Sequence, residues 1–167
     1  MSGTDLVLHE EQFQKLTRLS ERLLREANAR FVSLVDRNGQ PLAWAGDLPD
    51  VDKTALASLA AGNVAATEGL ARMIGERTFC SMYHEGDRDH LHFSAVGEVG
   101  ILLVGFDERS SLGLVRLRVR QVTPDLAQVF DEMLTRSRAY SAGMDELASG
   151  LPEITDEDIE NLFKDGM

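Results

Sequence analysis

The side chains able to do chemistry are few and poorly grouped. His90 and His92 are two residues apart and so share one side of an extended strand, with His84 on a neighbouring segment. Three imidazoles raise the question of a divalent metal, yet no carboxylate or cysteine completes a ligand spacing, and exposed strand histidines are the expectation; no metal ligand is assigned. Asp87 and Asp89 lie in Gly86-Asp87-Arg88-Asp89, a turn that favours aspartate for its local backbone hydrogen bonds, and they are not taken as an acid–base pair. The single Cys80 has no partner for a disulfide and no CxxC spacing, which fits a reducing compartment and a small buried apolar residue better than a nucleophile. Arg109, just after a strand, has the placing of a finger that enters a partner's phosphoryl-transfer site, but a solvated loop arginine is the expectation there. Neither GxxxxGK[ST] nor GxGxxG is present. No catalytic, cofactor-binding or metal-binding residue is therefore assigned.

The elements that must position these residues follow from periodicity. Phe13, Leu16, Leu19, Leu23 and Leu24 recur at helical spacing between about Glu10 and Asn28. FVSLVD (Phe31 to Asp36) and PLAWAG (Pro41 to Gly46) flank Asn38-Gly39, a strong hairpin signal. Asp52 is placed to cap a second helix over Lys53 to Ile74, which Gly75 can end. Phe79 to Glu85, His90 to Val96 and Gly100 to Phe106 read as three further strands. Beyond them Val115, Leu117 and Val119 alternate with arginines as in a half-buried strand. Leu112, Val115, Val119 and Val122 also share one helical face that continues through Leu126, Val129, Phe130, Met133 and Leu134. A helix capped by Ser110 or Ser111, kinked or broken at Pro124, is favoured over the strand.

Length and composition bound the rest. The chain has 167 residues, 43% of them hydrophobic and 27% charged, which is enough apolar material for one packed domain and too little length for two. A net charge of -11 disfavours phosphate backbones and anionic lipid, so neither nucleic acid nor membrane insertion is expected. No apolar run approaches a membrane span and the start lacks a leader pattern, so a cytoplasmic location is expected. The charge is uneven: residues 151–167 hold six acids against Lys164 alone. A folded domain over residues 1–138, a flexible linker over 139–153 and an acidic amphipathic motif over 154–167 are the expected organisation.

Two features suit partners better than substrates. On the second helix Ala57, Ala61, Ala65 and Gly69 recur every four residues, a flat ridge over which another backbone can approach, either the chain's own sheet or a partner; Leu56, Leu59 and Leu70 form a separate apolar face. In the terminal motif Thr155 can cap a short helix with Ile159, Leu162 and Phe163 on one face and Asp156, Glu157 and Asp158 in its first turn, a segment built to fold on a partner.

The segments VSLVDRNGQPLAWAG, ALASLAAGNVAATEGLARMIGE and ILLVGFDERSSLGLVRLRV, followed by the terminal EITDEDIENLF, resemble the roadblock family of dynein-light-chain-type proteins, over nearly the whole chain. Among its members the sequence is similar to bacterial regulators of a Ras-like polarity GTPase. The resemblance implies a roadblock/longin-like α/β (α+β) fold, α-β-β-α-β-β-β-α, with a five-stranded antiparallel sheet between helices. It implies a homodimer joined through third strands and second helices, whose paired helices form a platform for one small GTPase. Activation would rearrange the GTPase's own residues, with no arginine finger and no cofactor on this chain, GTP and magnesium being held by the partner. The terminal motif would dock elsewhere on that GTPase and influence binding or exchange. Cell polarity or motility, with recruitment to a cell pole, is the implied setting. A roadblock scaffold that docks a GTPase without changing its turnover is the second class of function left open.

Overall fold

The computed structural model describes Leu6 and residues 8–150, so the terminal motif with Ile159, Leu162 and Phe163 lies outside the described residues. Helix α1 (Glu10–Glu26) leads into strands β1 (Phe31–Asp36) and β2 (Pro41–Gly46). Helix α2 (Lys53–Met73), strands β3 (Ser81–His84), β4 (His90–Val96) and β5 (Gly100–Phe106), and helix α3 (Leu112–Gly150) follow. The strands form one antiparallel sheet in the order β2-β1-β5-β4-β3, as the resemblance implied.

The pairing of β1 with β5 is the axis of the molecule. Val32 lies opposite Val104 and Leu34 opposite Leu102, and these side chains face α1 and α3. Phe31, Val35, Ile101 and Leu103 face the other way, onto α2. Every residue of both strands is buried, so the two strands read as continuous apolar runs where a half-exposed strand would alternate. Gly105 leaves the space that the Phe31 ring fills, and that ring stacks on Trp44 of β2 at 5.0 Å.

Local chemistry sets each junction. In the β1–β2 turn Asp36 accepts from the backbone N–H groups of Asn38 (2.9 Å) and Gln40 (2.8 Å), while Gly39 takes a φ of +85° that a side chain would resist. Asp52 caps α2 by accepting from the N–H groups of Thr54 and Ala55. Ser111 caps α3 through Leu114 N–H, and the Ser110 hydroxyl is spent instead on the carbonyl of Ala27 at the end of α1.

Helix α3 settles both ambiguities of its sequence. Residues 112–122 are helical, not a strand, and the helix runs through Pro124 without a break. A proline there costs about 3 kcal/mol. Eight buried apolar side chains from Val115 to Leu134, at about 1.5–3 kcal/mol apiece, outweigh it. The helix also continues to Gly150, into the segment expected to be a flexible linker, with every side chain from Arg138 onward exposed. No proline occurs between 125 and 150, and Ala, Leu, Met and Glu in that stretch favour a helix.

Two glycines should respond to alanine with opposite signs. A Cβ at Gly105 would lie 2.0 Å from the Phe31 ring, so Gly105→Ala is expected to lose about 1–3 kcal/mol by overpacking. A Cβ at Gly143 meets nothing within 4 Å, so Gly143→Ala is expected to gain about 0.5–1 kcal/mol in helix propensity. Urea denaturation of each variant against the parent chain reads both signs.

Candidate partner-binding surface

Among the described residues one helix covers the second face of the sheet. The inner side of α2 carries Ala57, Ala60, Ala61 and Ala71, all buried, and these small residues let the helix lie close upon β1, β2 and β5. Its position is fixed at both ends. Lys53 lies over the Trp44 ring at 4.9 Å, and Glu68 pairs with Arg37, whose Nε also donates to the carbonyl of Glu98 at 2.7 Å. Past Ile74, Gly75 (φ +81°) turns the chain, with Glu76 N–H returning to the carbonyl of Ala71.

That placement leaves an apolar surface open. On the outer side of α2, Leu59 is 72% exposed, Leu70 60% and Met73 84%; Ile74 and Phe79 extend the surface toward β3. β3 is the shorter of the two outer strands, little buried, with one side of its backbone ladder unpaired among the described residues. Between α2 and β3 runs a shallow groove lined by Val64, Phe79, Met82, Phe93 and Ala95. An exposed edge flanked by exposed large apolar residues is a surface made to be covered.

The small-residue ridge is divided by geometry. Four residues of helix overshoot a full turn by about 40°, so the ridge winds around the helix. Ala57 and Ala61 are buried against the chain's own sheet, Gly69 is half-buried and Ala65 is exposed. The outward side is instead Leu59, Gly62, Ala66, Leu70 and Met73, at spacings of three and four, with only Leu59 and Leu70 of these noted in the sequence as apolar.

The residues weighed for chemistry are dispersed. Tyr83 stands opposite His92 and His84 opposite Leu91, so His84 points to the α2 face while His90 and His92 point to the α3 face. His84 contacts Asn63 of α2 at 3.4 Å and packs against Phe93; His90 packs against Phe106. The expectation of exposed strand histidines fails at His92, which is buried to 1% exposure, and at half-buried His90. Their strand lies under α3, and the periodicity that marks a helix does not say which strands it covers. Among the described residues no three His, Cys, Asp or Glu side chains gather around a metal position. Cys80 is exposed, contrary to the buried position expected of it, because β3 begins only at Ser81 and runs along the outer side of the sheet. Asp89 is tied to Arg30 at 2.6 Å. Arg109 donates from Nε to both oxygens of Asp107 (2.9 and 3.1 Å), and this hydrogen bond holds the Asp107 carboxyl below its usual range. No helix among the described residues is long and apolar enough to cross a membrane.

A two-faced antiparallel sheet with one helix on one side, two on the other and an open outer strand is a roadblock architecture. The Roadblock/LC7 domain model matches residues 15–106, and the chain belongs to that family. Among solved structures it is similar to MglB of Myxococcus xanthus, at 48% identity over 77% of this chain and 96% of that one, with a TM-score of 0.72. It is also similar to the gliding protein MglB of Thermus thermophilus, at 35% identity over 78% of this chain and 99% of that one, with a TM-score of 0.71. A roadblock domain of Streptomyces avermitilis, 16% identical with a TM-score of 0.63, shares the fold. The comparison with curated proteins finds no match.

His92 makes the surroundings of β4 sensitive to acid. Burial, then the nearby charge of Arg116, lowers its pKa to about 4. An unfolded histidine titrates near 6.5, so between about pH 6.5 and 4 the unfolded chain takes up the proton and the folded one does not. The stabilising contribution is complete above the unfolded value and is lost as pH falls through that window, at up to ~1.4 kcal/mol per pH unit. In His92→Leu the dependence of stability on pH over this window should be flatter by about one proton, as measured by urea titrations at a series of pH values.

Proposed function

We propose that this protein is a GTPase-activating regulator of an MglA-type, Ras-like small GTPase in bacterial cell polarity or motility. The observation that carries the reading is the exposed apolar side of α2 beside the open β3 edge, in a chain 48% identical to an MglB. Two copies pair through β3 and α2, which hides the open edge and the groove behind it and sets two α2 helices side by side as a platform. A solved MglB described as having a tetrameric arrangement is in keeping with self-association of such chains.

The chain does not supply a catalytic group. Phosphoryl transfer needs an aligned water, magnesium and positive charge about the transferred group, and a small GTPase holds all three once its switch loops are ordered. The platform accelerates hydrolysis by binding the ordered arrangement better than the disordered one, and the rate gain is bounded by that difference in affinity. Arg109 is suited to a structural part, since its guanidinium is already engaged by Asp107. The acidic end at residues 154–167 adds a second contact that aids association or nucleotide exchange. The protein acts in the cytoplasm, with recruitment to a pole.

Single-turnover GTP hydrolysis by the MglA-type GTPase, with and without this protein, is the direct test. Stimulation is expected; docking with unchanged turnover would assign the scaffold role instead. Gly62→Arg with Ala66→Arg puts two long cations on the outward side of α2 and should lower stimulation at least about tenfold while the circular dichroism spectrum stays that of the parent. Arg109→Ala at saturating concentration should change the stimulated rate by less than about tenfold, whereas loss of a true finger costs ~10³ or more.

A further inference from the structure

On the sheet face opposite α2, an open cavity of about 480 Å³ lies between β4 and the first half of α3. Its only charged lining residues are Arg116 and Arg120, one helical turn apart on α3, and neither is paired with a carboxylate among the described residues. In a chain with 28 acidic residues against 17 basic ones, two adjacent guanidinium groups without a counter-charge are out of keeping with their surroundings. At the base lies His92, buried, with neither ring nitrogen hydrogen-bonded among the described residues. Buried polar groups are rarely left so without a reason. Val119 and Pro124 give the cavity an apolar wall beside the two cations.

We propose that this groove is a docking site for an acidic segment of a partner protein, which sets carboxylates on Arg116 and Arg120 and an adjoining apolar side chain against Val119 and Pro124. Guanidinium forks recognise carboxylates through paired, charge-assisted hydrogen bonds, and two of them a turn apart read two acids. The apolar wall distinguishes a peptide from a free anion, which would leave it wet. The net charge of -11 repels acidic chains at a distance, so a segment that binds must do so by the short-range match. A carboxylate beside Arg116 also offsets the charge that bears on His92. The site uses β4, α3 and, at its margin, Cys80 and Ser81 where β3 begins; it leaves α2 free and stands whether or not the chain stimulates a GTPase.

The test is titration of the full-length protein with a fluorescent peptide, Glu-Leu-Glu-Glu-Leu-Glu, by anisotropy, and with the unlabelled peptide by NMR. Saturable binding is expected, with shifts at the His92 ring and at the backbone amides of residues 116–123. Arg116→Ser with Arg120→Ser should weaken it at least tenfold, and each single variant by a smaller factor; both arginines are exposed, and the single variants serve if the double one unfolds. The proposal is overturned by absence of binding at millimolar peptide, by unchanged affinity in the arginine variants, or by shifts confined to α2. Equal binding by inorganic phosphate would make it a small-anion site instead. Binding seen only after removal of residues 154–167 would assign the groove to the chain's own acidic end.

Discussion

Burial of β1 and β5 on both faces is the constraint from which the rest of this molecule follows. Two central strands without a polar face demand cover above and below, and the described residues supply three helices for it. With α1 and α3 on one side, α2 is left to cover the other alone. A helix is about 10–12 Å across, while four strand spacings of about 4.8 Å make a sheet near 19 Å wide. One helix set on β1, β2 and β5 therefore cannot also shield β3 and β4. The open edge and the apolar groove next to it are thus the residue of an unequal division of helices, and a partner that hides them completes the same packing that folds the chain.

Much of this was legible because the local signals agree with the final packing. Leu16 and Leu23 of the first helical stripe are fully buried, the Asn38-Gly39 turn lies where the two apolar runs meet, and Asp52 caps the helix that it precedes. The errors have physical causes. A four-residue repeat on a helix of 3.6 residues per turn is a spiral, so Ala57 and Gly69 do not share a face, and only burial distinguishes the inward side of α2 from the outward one. The strand histidines differ from expectation because the helix expected over 112–134 does not announce in sequence which strands it will cover, and it lies over His92. Cys80 was misjudged because a sequence does not say which strand stands outermost.

The two faces also divide the electrostatics. The α2 side presents mostly uncharged apolar surface, with Glu68 spent on Arg37 and Lys53 on Trp44. Charge recognition is left to the α3 side, where arginines of the alternating segment stand outward from a buried valine stripe. Contact by shape on one face and by charge on the other would let salt weaken one association while sparing the other.

Helix α3 has a mechanical meaning of its own. Its 39 residues span about 58 Å, and the exposed part from Arg138 reaches about 18 Å past the packed region. A pliant tether of the same number of residues would let whatever it carries wander through a sphere. A rod anchored by Phe130, Met133 and Leu134 acts as a boom, fixing both the standoff and the bearing of its own tip at Gly150. Contacts made from its tip are then selected by the outline of the partner, since a ligand surface at the wrong distance is missed however favourable its chemistry.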